Sequence, residues 1–367
     1  MQAFLEIHDT RRGFLPATDP LVHLPAAFEP WERIAADLSK RLAARTVRRA
    51  LAQLPACDTA ELRAQPELER AMLLLSFFGH AYVWGETPPP RSLPAPVAVP
   101  WHEVAACLGR PPVLSYASYA LHNWRRLDPQ GPVALGNLAL LQNFLGGVDE
   151  EWFVLLHVEI EAKAAPAIAT LAQPSPSLPV IAAALGEMNA TLQRMPERCD
   201  PYIYYSRVRP YIHGWKDQPA LPGGLIYEGV SDRPQRLRGE TGAQSSVVPA
   251  LDAALAIEHK PDVLRDYLRE MREYMPLAHR AFVEGIEQGP SLRRVALEDP
   301  SLREAYNACV RGLEEFRAKH FEYAARYIHQ QAQRDSANPT EIGTGGTPFM
   351  PYLGKHLSET IEHLLPS

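Results

Sequence analysis

The stretch 302–330 constrains this chain more than any other. Leu302, Tyr306, Cys309, Leu313, Phe316, Tyr323 and Tyr327 recur three and four residues apart, the period that places them on one face of an α-helix. His320 fills the gap between Phe316 and Tyr323. Arg303, Glu304, Arg311, Glu314, Glu315, Lys319, Glu322 and Arg326 fall mostly off that face. The pattern is a long amphipathic helix whose buried stripe carries an imidazole. Such a histidine has two readings. It is a core histidine bonded to a backbone carbonyl, or it is an axial ligand to haem iron, where one histidine suffices because the porphyrin supplies the equatorial ligands. Non-haem iron would require two histidines and a carboxylate. No H-x-x-x-H occurs, and the two H-x-E pairs, His157/Glu159 and His320/Glu322, fall on expected helices, where residues two apart do not face each other.

The rest of the chain follows the same mainly helical logic. Its 35 prolines cluster, as at 88–90 and 94–100, and cut it into segments that leave longer stretches free for helices. Residues 1–30 read as an irregular lead-in. Helices are expected over about 31–54, 66–84, 101–108 and 113–124, with 85–100 as a proline-rich loop. Gly146 and Gly147 break the chain before a helix from about 150 to 172, and another follows from about 180 to 195. Asp200-Pro201 opens a further helix with a cap and a first-turn proline. The segment 214–243 is rich in Gly, Pro and Asp and reads as a long loop. Helices are then expected over 245–259, 261–288 and 300–331, before a glycine-rich loop at 332–351 and a short terminal helix. Strand signals are few, and there is no internal repeat. The fold class expected is all-α, divided near 146/147 into a smaller N-terminal domain (1–146) and a large helical domain (147–367).

Composition excludes several function classes. A net charge of -6 without any Lys/Arg block offers no electrostatic basis for nucleic-acid binding. No apolar run is long enough to span a bilayer, and the first residues lack the apolar core of a secretory signal. Cys57, Cys107, Cys199 and Cys309 are far apart, which argues against a Cys-rich zinc site and a c-type haem. Reduced thiols in a cytoplasmic protein are the simple reading.

Eight segments then fall in one recognisable order. They are AYVWG at 81–85, VAVPW at 97–101, PPVLSYASYALHNW at 111–124, HGWKDQPALPGGLIYEG at 213–229, GAQSSVVPALDAALAI at 242–257, REMREYMPLAHRAFV at 269–283, LREAYNACVRGLEEFRAKHFEYAARYI at 302–328 and GTGGTPFM at 343–350. In this order and spacing the chain resembles the indoleamine 2,3-dioxygenases over about residues 81–350. His213 stands where the family has a serine before G-W-K.

The resemblance implies two helical domains, the smaller covering the distal side and the larger gripping haem b. It implies oxidative cleavage of the indole C2–C3 bond of L-tryptophan, or a close indole relative, by O2 to N-formylkynurenine. An electron donor would keep the iron ferrous. His320 falls on the proximal ligand. Arg209 falls on the arginine that meets the substrate carboxylate, a task suited to a guanidinium's two parallel donors; Arg207 competes for it. Tyr204 stands where a phenylalanine packs on the indole ring, Tyr116 matches a distal-pocket tyrosine, and Tyr119 occupies a position more often small. Thr344 lies in the loop that closes over the substrate. Thr241 and Gly242 match the segment lining the distal haem edge, and Asp252 with Arg317 matches a proximal acid–arginine pair, Arg317 balancing a haem propionate. The distal serine position is Leu155, with Glu151 in place of a pocket phenylalanine. His157, two residues beyond Leu155, is expected to face away as a core histidine. No protein acid or base is then expected at the site.

Two other readings use some of the same residues. A related haem enzyme would act on a modified tryptophan in a biosynthetic pathway. A haem-based O2 sensor would need His320 but would have no use for Arg209 or the closing loop.

Overall fold

The computed structural model describes residues 10–334 and 350–366. Helix outweighs strand 62% to 5%, the mainly helical class that the stripes imply. The expected helix over 31–54 is three short ones, α1 (Glu29–Ala36), α2 (Leu38–Ala43) and α3 (Val47–Ala52). The chain bends between the last two at Arg45, whose φ is 53°. This lets Trp31, Leu38, Leu42, Val47 and Leu51 all turn into one core, which a straight helix of that length could not do.

The buried helix α4 (Gln65–Trp84) lies along α5 (Ala95–Leu108). Helix α5 departs from the expected loop over 85–100. Pro94 and Pro96 sit at its start, where a missing N–H costs nothing and a fixed φ favours the first turn. Only Pro100 forfeits an internal hydrogen bond. The expected helix over 113–124 reduces to one π-type turn at Ala117–Leu121. It runs into β2 (Trp124–Arg126), which pairs antiparallel with β3 (Leu138–Leu140). The other small sheet joins distant segments: β1 (Ser92–Leu93) runs parallel to β4 (Leu225–Tyr227), and β4 pairs with β5 (Ser231–Gln235).

Helix α6 (Val148–Leu171) packs along α7 (Leu178–Gln193), and α7 along α12 (Arg303–Ala324). Between them come α8 (Val247–Leu255), α9 (Val263–Arg272), α10 (Leu277–Gln288) and α11 (Leu292–Glu298). Helix α13 (Met350–Ile361) lies against α12. Within the stripe of α12, Tyr306, Cys309, Leu313 and Tyr323 are buried. The hydroxyls find backbone acceptors, Tyr306 on Leu255 and Tyr327 on Cys199, as buried tyrosines require.

Two hydrophobic cores result. One gathers α1 to α5 but also Ile212, Trp215, Leu225 and Met271 from far along the chain. The other gathers α7, α8 and α12. Helix α6 divides itself between them: Val154, Leu155 and Val158 face the first, and Leu156, Ala164, Ala167 and Ile168 the second. A third stripe remains, Phe153, His157 and Glu161, four residues apart and therefore stacked along one edge.

Candidate functional site

That third stripe meets a cavity of about 1010 Å³ at His157. Six of the residues singled out from sequence line it: Tyr116, Thr241, Gly242, Asp252, Arg317 and His320. His157 lines it as well. Leu155 does not; it is buried in the first core with Val154 and Val158. The expectation that Leu155 faces the pocket while His157 turns away is therefore reversed. Helix α6 is apolar nearly all round, so its periodicity carries no phase, and the error is a matter of helix register.

His320 projects from α12 one turn beyond Phe316. It makes no hydrogen bond or ion pair with any described residue. Its ring is exposed into the cavity, where desolvation by the surrounding protein pushes its pKa down to about 4, with His157 acting in the same direction. The imidazole is thus neutral near pH 7. His157 is also held neutral, its pKa lowered by burial against the opposing pull of its backbone hydrogen bond. Its Nδ1 lies 2.7 Å from the Phe153 carbonyl. A carbonyl only accepts, so Nδ1 carries the proton and Nε2 keeps a lone pair.

Behind His157 stands a layer of rings. Phe153 lies 4.7 Å from His157 and 4.6 Å from Tyr204, centroid to centroid, and Tyr119 lies 6.5 Å from Phe153. Tyr119 and Tyr204 are not on the cavity wall; they pack on Phe153, which itself stands behind His157. Phe153 was not anticipated from sequence. Tyr204 belongs to a π-type turn, Tyr204–Val208, against which packs another at Ala325–His329 just beyond α12. With Ala117–Leu121, three π-type turns border this one region. Such turns insert a residue into a helix, re-aim side chains and recur at functional sites.

Arg209 follows the second π-type turn and is wholly buried. Its guanidinium lies 5.3 Å from the Tyr205 ring. Burial lowers its pKa, with Tyr204 and Tyr205 opposing, but a guanidinium remains charged at any ordinary pH. It does not line the cavity described, whereas Arg207, its competitor, is exposed. Thr344 lies outside the described residues.

The 239–245 segment reaches the cavity because two backbones cross closely. A Cβ on Gly214 would meet Gly239 N at 2.2 Å, and one on Gly239 would meet Gly214 N at 2.2 Å. Only glycines allow this approach, which the Trp215 N–H to Leu237 and Glu240 N–H to Ile212 hydrogen bonds seal. Thr241 then caps a short turn through Ala243 N–H. Gln244 accepts from Tyr116 N–H at 2.9 Å and donates to the Gly239 carbonyl. Glu161 was not anticipated either. Its Oε1 accepts from Tyr116 OH at 2.9 Å and from Ser245 Oγ at 2.7 Å. Burial raises its pKa to about 7 despite those donors. Glu240 is raised by burial to about 8.

On the opposite wall Arg317 Nη2 reaches both Asp252 oxygens, at 2.8 and 2.6 Å, and Nη1 reaches Thr360 at 2.7 Å. Burial favours the protonated acid, but Arg317 and His259 outweigh it and hold Asp252 below its ordinary pKa. His259 donates toward Glu359 at 2.8 Å and stacks on His356, ring centroids 3.7 Å apart and 9° from parallel. Although His259, His356 and Glu359 gather closely, in-plane lone pairs from two parallel stacked rings do not converge on one ion. We read this cluster as a brace between α13 and the loop before α9.

The lining fits a haem. The cavity stands at the upper end of small-molecule site volumes, a neutral imidazole without a partner faces it, and a Cβ on Gly242 would meet nothing within 4 Å. No helix among the described residues is long and apolar enough to cross a membrane.

Comparison with known proteins bears on the same residues. A family model described as Indoleamine 2,3-dioxygenase matches residues 6–363. The chain is similar to indoleamine 2,3-dioxygenase 2 of Homo sapiens, 35% identical over 96% of this chain and 93% of that one. It is 32% identical to a 6-hydroxytryptophan 2,3-dioxygenase of Fusarium equiseti, covering 97% of this chain and 96% of that one. It is also 32% identical to a protein named myoglobin from Haliotis madaka, covering 95% of each chain.

Proposed function

Since the chain belongs to the indoleamine 2,3-dioxygenase family, whose members are haem-dependent oxidoreductases acting on tryptophan or a derivative, we propose that it cleaves the indole C2–C3 bond of L-tryptophan with O2 to give N-formylkynurenine. The observation that carries this reading is His320, a neutral imidazole without a partner among the described residues, facing a cavity of about 1010 Å³ that His157 also lines.

His320 would hold haem b through the lone pair that burial keeps unprotonated. Haem bound there would supply the site of O2 activation. The protein's own part is positioning. His157, with Nδ1–H engaged by the Phe153 carbonyl, offers Nε2 as an acceptor for an indole N–H. Arg209 would meet the substrate carboxylate with paired donors, and Tyr204 and Tyr119, through Phe153, set the width of the aromatic wall. Thr344 is assigned to the amino-acid end of the substrate by the family resemblance alone. In this reading the smaller N-terminal unit covers the distal side and the larger one grips the cofactor from the proximal side. An electron donor keeps the iron ferrous. Four unpaired cysteines fit a reducing, cytoplasmic setting.

The test is product mass after reduced, haem-loaded protein meets L-tryptophan under labelled O2. Tryptophan plus both atoms of one O2 supports the proposal. Turnover of 6-hydroxytryptophan alone would replace the substrate, as the similarity to the Fusarium equiseti protein makes worth including. A haem spectrum with no turnover of any indole would favour a ligand-binding role.

A further inference from the structure

Resting on the haem reading above, we propose that Arg265 and Arg269 of α9 bind the two propionates of the haem, in place of Arg317. Four arginines line the cavity: Arg265, Arg269, Arg272 and Arg317. Two are already neutralised. Arg317 is gripped by both oxygens of Asp252 and by Thr360, and Arg272 by Glu287 at 2.5 Å. The other two are not. Arg265 makes one long contact with the His259 carbonyl, 3.4 Å. Arg269 has no hydrogen-bond or ion-pair partner among the described residues.

Their placement is that of a pair. They stand four residues apart on α9 (Val263–Arg272), so they share one face a single turn apart. That face, with Leu264 and Leu268, borders the cavity. The acids of α9 leave it clear: Glu270 points away to Lys216 and Arg238, and Asp266 is exposed and does not line the cavity; Asp262, which caps the helix, is bound by Lys355. Of the acids lining the cavity only the exposed Glu258 lacks a cationic partner among the described residues, so an excess of positive charge remains at this wall. Two guanidiniums without a carboxylate partner among the described residues, set beside Leu264, Tyr267 and Leu268, suit two carboxylates carried on one rigid apolar plate. That is the chemistry of a porphyrin's propionate edge, and guanidiniums take carboxylates in charge-assisted hydrogen bonds.

The experiment compares haem b with its dimethyl ester, which has the same iron and ring but no carboxylates. The full-length chain and its Arg265→Gln/Arg269→Gln variant are each loaded with either cofactor. Loss of cofactor to excess apomyoglobin is followed optically. Haem b should leave the variant about tenfold faster than the wild type, the scale expected of charge-assisted contacts. The ester should leave both proteins at the same rate, and Arg265→Lys/Arg269→Lys should restore part of the retention. Equal haem b loss from wild type and variant overturns the proposal, as does equal acceleration for both cofactors, which marks a purely structural effect. Failure of the wild type to take up either cofactor would instead overturn the haem reading beneath it.

Discussion

Replacing Asp252 with alanine tests the wall beneath the cavity. Arg317 spends one nitrogen on both Asp252 oxygens, at 2.8 and 2.6 Å, and the side chains are only 11% and 19% exposed. Removing one member of a buried ion pair costs about 3–5 kcal/mol, because the partner's charge is left without compensation. Thr360 still bonds Arg317 in the variant, and the cavity admits water to both side chains, so we place Asp252→Ala at the low end, about 3 kcal/mol. Arg317→Met alone should cost a similar amount. The double variant loses both charges together, so its cost should fall short of the sum by about 2 kcal/mol or more. Equilibrium urea unfolding at matched haem content measures all four corners of this cycle. The sign with pH follows from the lowered pKa of Asp252. Stability from such a group is fully present above the unfolded pKa, near 3.8, and is lost as pH falls through the folded one. The gap between wild type and Asp252→Ala should therefore narrow below about pH 4. Single costs under about 1 kcal/mol that simply add would refute the argument, since that is how a solvated surface pair behaves.

Other outcomes follow from particular contacts. His157→Leu should leave haem content unchanged while lowering turnover, whereas Leu155→Ala should cost about 2–5 kcal/mol of stability and leave the haem spectrum unchanged; absorption spectra and unfolding curves separate the two. Glu161, raised to about 7, binds its proton more tightly in the folded chain, so it makes stability fall as pH rises from about 4.5 through 7. Glu161→Gln should flatten that part of the stability–pH profile, and an unaltered profile would contradict the assignment. Gly79→Ala places a methyl 2.1 Å from the Trp101 ring, where overpacking should cost about 1–3 kcal/mol, read as a lower thermal midpoint.

Sequence alone determined the helical class and the face of α12 that carries His320, because a stripe of seven apolar residues at helical spacing has one geometric solution. The ordered segments from 81 to 350 were equally sufficient for the family, which the match over residues 6–363 bears out. Tertiary structure decided the rest. The phase of α6 was invisible in a helix apolar on nearly every side, and only contact with two cores at once shows that Phe153, His157 and Glu161 form the remaining edge. The three π-type turns shift register by a single inserted residue, which no 3.6-residue period detects. The breaks within 31–54 and the helix over 95–108 reflect what neighbouring segments bury, not local propensity. Glu161 meets Tyr116 and Ser245 across separations of 45 and 84 residues. Arg265 and Arg269 stand out only because Asp252 and Glu287 neutralise their neighbours. Spacing encodes which face of an element is apolar; which polar groups end up sharing one cavity depends on how distant faces close over each other.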